Sequence, residues 1–340
     1  MYVIGIDLGG TKVAVASLRG QELGDSVLRP TDRSNADVLI DEIVQMVESV
    51  RGNGLDAVGI GVPSVVEFET GRVVSSVNVP LANLPLRALL GERLGVPVFL
   101  DNDASVAALA EAHDHELRMV TQDLVMITVG TGVGGGLVLG GRIYRGATGG
   151  AGELGHTIVA LALPPELSLE LAREAPATTG FPQPGSLERV ASGRALDRLA
   201  EQCAELHPES ALGQLHRQGK AVFGPDVLEA ARGGDAVAAG LVEAWGERLG
   251  IGVANAINTF DPAEVVIGGG AARAGDLLLE PARRVALSHV LPGLGTRTTI
   301  RLARHGVRAG VLGAALLAVH ELDASQSVAH TKVSRGSVAG

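Results

Sequence analysis

Several short stretches of this chain carry side chains suited to polar chemistry. Asp101-Asn102-Asp103 follows the apolar run Val96–Leu100 and precedes an alanine-rich segment. A carboxylate placed there accepts a proton from an alcohol, and its polar neighbours can orient it. Ligands in open α/β sheets bind beyond the carboxyl ends of strands, where a strand ending at Leu100 leads. Helix capping by Asp or Asn explains the same residues without any substrate, and position alone leaves the two readings level. Glu153-Leu154-Gly155-His156 follows the glycine-rich segment Gly146–Gly152. A carboxylate and an imidazole three residues apart can both meet the hydroxyls of a polyol. Taken alone, a solvated Glu153 and a packed His156 on a surface loop are the commoner outcome. Gly268-Gly269-Gly270 follows Val265–Ile267 and would let a flat base or ribose approach the backbone, or simply form a strand-to-helix loop. Asn78, after Val73–Val77, and Glu188, in Gly185-Ser186-Leu187-Glu188, read unaided as a turn asparagine and a helix N-terminal glutamate.

Two glycine turns of one design give these residues a context. Asp7-Leu8-Gly9-Gly10-Thr11-Lys12 follows the apolar run Val3–Ile6 and leads into Val13–Ala16. Thr128-Val129-Gly130-Thr131-Gly132-Val133-Gly134-Gly135-Gly136 follows Leu124–Ile127 and leads into Leu137–Leu139. Glycine permits positive φ and brings amide N–H groups up to a phosphate with no Cβ in the way. Thr11 and Thr131 add hydroxyls, and Lys12 adds a cation. Asp7 ends a buried strand, where a carboxylate is costly unless it meets donors or a metal; magnesium on nucleotide phosphates fits that need. Gly-rich hairpin turns are the plain alternative. Because the design recurs after two apolar strands, phosphate binding is the better reading. Neither turn fits the Walker pattern, which exits into a helix through Gly-Lys-Ser/Thr.

The elements that must position these groups alternate between strand and helix, the signature of an α/β fold. The spacing of Leu39, Ile43, Met46, Val47 and Val50 predicts a helix over Ala36–Val50, capped by Ser34 or Asn35. Val58–Val62 and Val96–Leu100 read as strands, and Ala104–Ala112 as a helix. Beyond Leu124 come a long helix near Leu241–Ile257, a strand Val265–Ile267, a helix near Asp276–Ser288, a strand near Thr298–Leu302 and an apolar helix Gly310–Leu322. The proline-rich stretch 161–186 reads as a loop or insertion, and 323–340, polar and without periodicity, as a disordered tail. The expected division is a small α/β domain of residues 1–113 plus 305–322 and a larger one of 114–304.

Composition narrows the class. A chain of 340 residues, 46% hydrophobic, can bury two sizeable cores. It holds no apolar run of membrane-spanning length and no secretory signal. Cys203 is its single cysteine, so no intramolecular disulfide or cysteine-rich zinc site can form. The expected location is cytoplasmic. The formal net charge of −10 argues against a broad nucleic-acid surface.

Together with Asn258-Thr259-Phe260-Asp261-Pro262, these motifs in this order resemble the ROK family of sugar kinases and repressors over about residues 3–320. The resemblance implies an actin-like ATPase (ribonuclease H-like) α/β fold with two domains and a cleft between them. It further implies transfer of the ATP γ-phosphoryl group to a sugar hydroxyl with Mg2+, glucose being the leading substrate and an N-acetylhexosamine or amino sugar the rival. By that analogy Asp103 is the general base, and Asn78, Asn102, Glu153, His156 and Glu188 hold the sugar. Asp7 orients magnesium; Gly9, Gly10, Thr11, Lys12, Thr131 and Gly132 cradle phosphate; Gly269 and Gly270 face the adenosine. A homodimer or higher homo-oligomer is expected, with no nucleic-acid or membrane partner.

The chain departs from the family at three places. The family's zinc motif, Cys-x-Cys-Gly-x-x-Gly-Cys-x-Glu, aligns with Thr179–Glu188, where the cysteines are missing and Gly185 and Glu188 remain. No zinc is therefore expected, and His156 is left to the sugar. Ser64 stands where glycine is usual, and Leu81 where several relatives carry an aromatic residue. A sugar-responsive repressor is the alternative of a different class; such family members carry a DNA-binding domain before the first strand, where this sequence has only Met1 and Tyr2. Polyphosphate as donor stays open, although an extended anion would favour a basic track that the sequence does not show.

Overall fold

The computed structural model describes residues 1–76, 78–159 and 180–336, with side chains as far as residue 325. In chain order the elements are β1 (Tyr2–Leu8), β2 (Lys12–Arg19), β3 (Glu22–Leu23), β4 (Val27–Pro30), α1 (Ala36–Val50), β5 (Ala57–Val62), β6 (Ser64–Glu67), β7 (Arg72–Ser76), α2 (Leu86–Leu94), β8 (Val98–Asn102) and α3 (Asp103–Glu111). There follow β9 (Leu124–Val129), β10 (Val133–Leu139), β11 (Arg142–Ile143), α4 (Leu187–Ala191), α5 (Gly193–Leu206), α6 (Ala211–Arg217), α7 (Gly224–Arg232), α8 (Ala236–Phe260), β12 (Glu264–Gly268), α9 (Asp276–His289), β13 (Thr299–Leu302) and α10 (Ala309–Gly336). Most of the proline-rich stretch, residues 160–179, lies outside the described residues.

The chain forms two compact units. One holds Met1–Gln122, Gly136–Gly152 and Val307–Gly340; the other holds Asp123–Gly135 and Glu153–Gly306. The first therefore includes the segment 136–152, which the sequence reading placed in the second domain. Local packing explains this: Gly136 leaves no room for a side chain against the Ala104 carbonyl of α3, and Arg145 pairs with Asp101 at 2.7 Å.

In the first unit the sheet order is β3-β2-β1-β5-β8, with β4 also on β2. The β1–β2 hairpin is antiparallel, and β1, β5 and β8 run parallel, with Asp7 opposite Gly61 and Gly61 opposite Asp101. This register brings the carboxyl ends of β1, β5 and β8 to one end of the sheet. Ile4, Ile6, Val13, Val15, Ile43, Met46, Ile60 and Leu90 fill the core. Each such side chain contributes about 1.5–3 kcal/mol when withdrawn from water. Helix α1 forms where its apolar period predicts, with the Asn35 side chain accepting the Asp37 N–H at 2.7 Å. Helix α10 lies directly on the sheet, because Gly5 and Gly59 present bare backbone to Val311 and Ala314. It also runs on to Gly336, so residues 323–336, expected as a disordered tail, continue the helix. Residues 323–335 contain no Gly or Pro, and extending an existing helix avoids the nucleation cost.

The second sheet has the order β11-β10-β9-β12-β13. Strands β9, β12 and β13 are parallel, with Thr128 opposite Gly268 and Ile267 opposite Leu302. The element sequence of the first sheet is thus repeated: a hairpin through a glycine turn, then two parallel neighbours. Helix α8 is the longest element of this unit, starting at Asp235, whose side chain accepts the Ala238 N–H at 2.9 Å. Its Trp245 donates to the Ala191 carbonyl at 2.7 Å. Among the described residues no helix is long and apolar enough to cross a membrane.

Candidate active site

The first glycine turn is drawn tight by the Gly9 N–H, which donates to the Lys12 carbonyl at 2.9 Å. The Thr31 hydroxyl donates to the Gly9 carbonyl at 2.7 Å, and the Thr31 N–H to the Thr11 carbonyl at 3.0 Å. The carbonyls are therefore occupied, while the N–H groups of Gly10 and Thr11 have no acceptor among the described residues. The second turn repeats this. The Gly130 N–H donates to the Gly132 carbonyl at 2.9 Å, the Gly193 N–H donates to the Gly130 carbonyl at 2.7 Å, and the N–H groups of Thr131 and Gly132 have no acceptor among the described residues. Two adjacent amides without an acceptor at each turn are groups suited to an anion.

Of the two purposes expected of the turn glycines, positive φ and the absence of a Cβ, the first is not used. Gly9, Gly10, Gly130 and Gly132 do not take up left-handed backbone; at Gly9, Gly10 and Gly132 what they supply is space. A side chain at Gly132 would strike the Glu188 carboxylate, and a Cβ on Gly10 would lie 3.3 Å from that of Asn78. Asn78 therefore stands beside the first turn. Gly269, by contrast, does need positive φ, at +76°, and it abuts the Val129 backbone. Gly269 thus lies next to the second turn, with Gly270 directly after it.

Asp7 ends β1 with its carboxyl against Gly310 in the first turn of α10, where no side chain would fit. Burial pushes its pKa up, and the Lys12 charge pulls it partly back. The residue keeps some exposed edge, but desolvation of the carboxyl wins. A divalent cation nearby would favour the ionised form, so Asp7 fits an indirect magnesium ligand. Among the described residues no three His, Cys, Asp or Glu side chains cluster to hold a metal by themselves.

At the end of β8 the capping reading holds for Asn102. The Asn102 side chain caps α3, its oxygen accepting the N–H groups of Ala104 and Ser105 at 2.9 and 3.2 Å. Its amide nitrogen donates to the Ser64 carbonyl at 3.4 Å. Asp103 is the first helical residue and also accepts the Ala104 N–H, at 2.8 Å. The buried Ser64 hydroxyl has no partner among the described residues, leaving a polar group next to Asn102 for a ligand hydroxyl.

In the second unit the other sugar candidates are gathered. Glu153 and His156 flank a single 3-10 turn, their side chains 3.8 Å apart. The His156 Nδ1 is buried without a partner among the described residues, and its ring meets the edge of Phe181 at 5.3 Å between centroids. A bridge between Ile158 and Ser186, with the Leu187 N–H donating to the Thr157 carbonyl at 2.9 Å, draws Glu188 to the same place. Glu188 accepts the Val133 N–H at 2.8 Å, a tie to the phosphate turn that its sequence position did not disclose. The sequence reading also missed Thr31, which braces the first turn, and Arg145, which pairs with Asp101; neither stands in a recognisable motif.

The ROK family profile matches residues 3–321. The glucokinase of Halalkalibacterium halodurans is 34% identical over 324 residues, 92% of this chain and 93% of that protein. The N-acetyl-D-glucosamine kinase of Shigella flexneri serotype 5b is 34% identical over 319 residues, covering 92% and 98%. Among solved structures, a ROK family glucokinase from Streptomyces griseus in complex with glucose and AMPPNP superposes with a TM-score of 0.75 at 32% identity, over 94% of this chain and all of that one.

Proposed function

The chain belongs to the ROK family and has the actin-like ATPase fold of its sugar kinases, and from that premise we propose that it phosphorylates glucose to glucose 6-phosphate with ATP. That it is a sugar kinase, a phosphotransferase with an alcohol acceptor, follows from its relatives over nearly their whole length. The observation that carries the donor side is the repeated turn: two open amides at Gly10 and Thr11, and two at Thr131 and Gly132. Phosphoryl transfer is mostly positioning and charge stabilisation, and backbone amides supply both without reorganising.

In the proposed reaction the sugar hydroxyl oxygen forms a bond to the γ-phosphorus as the bond from that phosphorus to the β–γ bridging oxygen breaks. Asp103 takes the hydroxyl proton, and ADP leaves with the bond's electron pair. Mg2+, when bound, neutralises phosphate charge, and Asp7 is the carboxylate that would orient it. Asn78, Asn102, Glu153, His156 and Glu188 hold the sugar hydroxyls, and Gly269 and Gly270 face the adenosine. Glucokinases among the similar proteins support glucose; an N-acetylhexosamine is the second reading, supported by relatives that act on N-acetyl-D-glucosamine.

A coupled ADP-release assay over hexoses, hexosamines and N-acetylhexosamines tests this, with polyphosphate as a second donor scored by sugar phosphate formed. Glucose should give the highest kcat/KM with ATP. A higher value for an N-acetylhexosamine would transfer the assignment to that sugar, and silence on every sugar would remove the kinase reading.

A further inference from the structure

Arg145 takes no part in the scheme above, yet it is bonded on three sides. Its Nε donates to Asp101 Oδ2 at 2.7 Å, its Nη2 donates to Glu321 Oε1 on α10 at 2.9 Å, and its guanidinium carbon sits 3.5 Å from the centroid of the Phe68 ring. Asp101 is only 4% exposed. Its second oxygen accepts the Asn102 backbone N–H at 2.9 Å. Asn102 in turn caps the helix whose first residue is Asp103.

A carboxylate this enclosed is costly to keep charged without a partner. Arginine suits the place because its planar fork reaches two carboxylates while its face stacks on an aromatic ring. A lysine in the same place offers a point charge and no face.

We propose that Arg145 is a positioning residue for phosphoryl transfer: it holds Asp101 ionised and fixed, and Asp101 holds the strand-to-helix corner that presents Asp103. The inference rests on the kinase reading. Burial raises the Asp101 carboxyl above its usual range, the Arg145 guanidinium and the Asn102 N–H lower it, and Glu321 raises it. Arg87, whose guanidinium also lies over Phe68, adds a second cation facing Asp101. Without Arg145 the Asp101 carboxyl takes up a proton at higher pH. Protonation weakens the acceptor that the Asn102 N–H uses, and the corner loosens.

The test compares wild type, Arg145→Gln, Arg145→Lys and the double variant Asp101→Asn/Arg145→Gln on the preferred sugar. Arg145→Gln should lower kcat about 100-fold, the size of effect expected when a reacting group is misplaced by about 1 Å. KM for ATP should stay within about threefold, since the interaction belongs to the transition state. The acid limb of the kcat profile should move up by about one pH unit. Arg145→Lys keeps the charge but neither the fork nor the face, so it should recover only part of the activity and bring the limb only part of the way back. In the double variant position 101 no longer carries a carboxyl to titrate, so the limb should return while kcat stays low.

A folded Arg145→Gln protein with wild-type kcat overturns the proposal. So does a loss of kcat with an unmoved limb, which marks a merely structural role, and so does a double variant that keeps the displaced limb. If Arg145→Gln does not fold, Arg145→Lys decides: a kcat and limb identical to wild type overturn the proposal, and a reduced kcat with a smaller upward limb shift supports it. A wild-type protein silent on every sugar overturns this inference together with the kinase reading, whereas an active wild type with an indifferent Arg145→Gln overturns this inference alone.

Discussion

The Glu188 carboxylate accepts the Val133 backbone N–H at 2.8 Å across 55 residues of chain, so a side chain from α4 closes the second glycine turn. The contact is close enough that Gly132 must lack a side chain. Gly132→Ala would therefore push Glu188 aside, at a cost of about 1–3 kcal/mol for overpacking. Glu188→Ala alone should cost about 1–3 kcal/mol by leaving a donor unpaired. Because both act on one contact, their combination should cost clearly less than the sum. Urea denaturation of the four proteins measures the coupling; strict additivity would show that the two residues do not share a contact in solution. The same Gly132→Ala protein should have a raised KM for ATP.

Asp103 stands at the first position of α3, next to the Asn102 cap. Replacing it with Asn keeps the shape and removes the proton acceptor. Asp103→Asn should lower kcat about 100- to 10,000-fold, the usual range for a general base, while sugar binding by calorimetry stays near wild type. Turnover close to wild type would take the base role away from Asp103.

What was legible in the sequence was what depends on near neighbours. The α1 helix shows in the spacing of Leu39, Ile43, Met46 and Val47, all of which are buried. Both glycine turns show because each directly follows an apolar strand. Contacts between distant residues leave no such trace. Arg145 meets Glu321 across 176 residues, and nothing in Tyr144-Arg145-Gly146 marks that arginine. The turn glycines were recognised, but for an incomplete reason: the backbone at Gly132 is ordinary, and the constraint comes from Glu188, an element folded in from elsewhere. The extension of α10 escaped notice because polar residues without an apolar period can still prolong a helix that packing has already nucleated.

His156 stands where the family's zinc motif would use a histidine, but the cysteines are missing and its ring packs edge-on against Phe181. Two or more thiolates supply most structural zinc sites of this kind, and one imidazole cannot replace them. Protein prepared without added metal should contain far less than one zinc per chain by elemental analysis. Incubation with a chelator, followed by excess magnesium, should leave both activity and melting temperature unchanged. Stoichiometric zinc, or a melting temperature lowered by the chelator, would show that other ligands hold the metal.

His320 on α10 lies 5.3 Å from His113, centroid to centroid. His113 is itself buried, with Nδ1 2.7 Å from the Leu109 carbonyl. Burial, then the His113 and Arg142 charges, push the His320 pKa down to about 4, with Asp323 opposing them. In the unfolded chain the same imidazole titrates near its ordinary value of about 6.5. Above that pH both states are neutral and His320 adds no pH dependence. Between about 6.5 and 4 the unfolded state binds a proton that the folded state refuses, so stability falls as pH falls. At pH 5 the loss should be about 2 kcal/mol relative to pH 7.5. The raised carboxyls of Asp7 and Asp101 work in the opposite sense at lower pH, but they are common to wild type and to a His320→Gln variant and cancel between them. Urea denaturation at the two pH values should show the variant losing about 2 kcal/mol less than wild type on acidification. Equal losses in the two proteins would mean that His320 takes up its proton as freely in the folded chain as in the unfolded one.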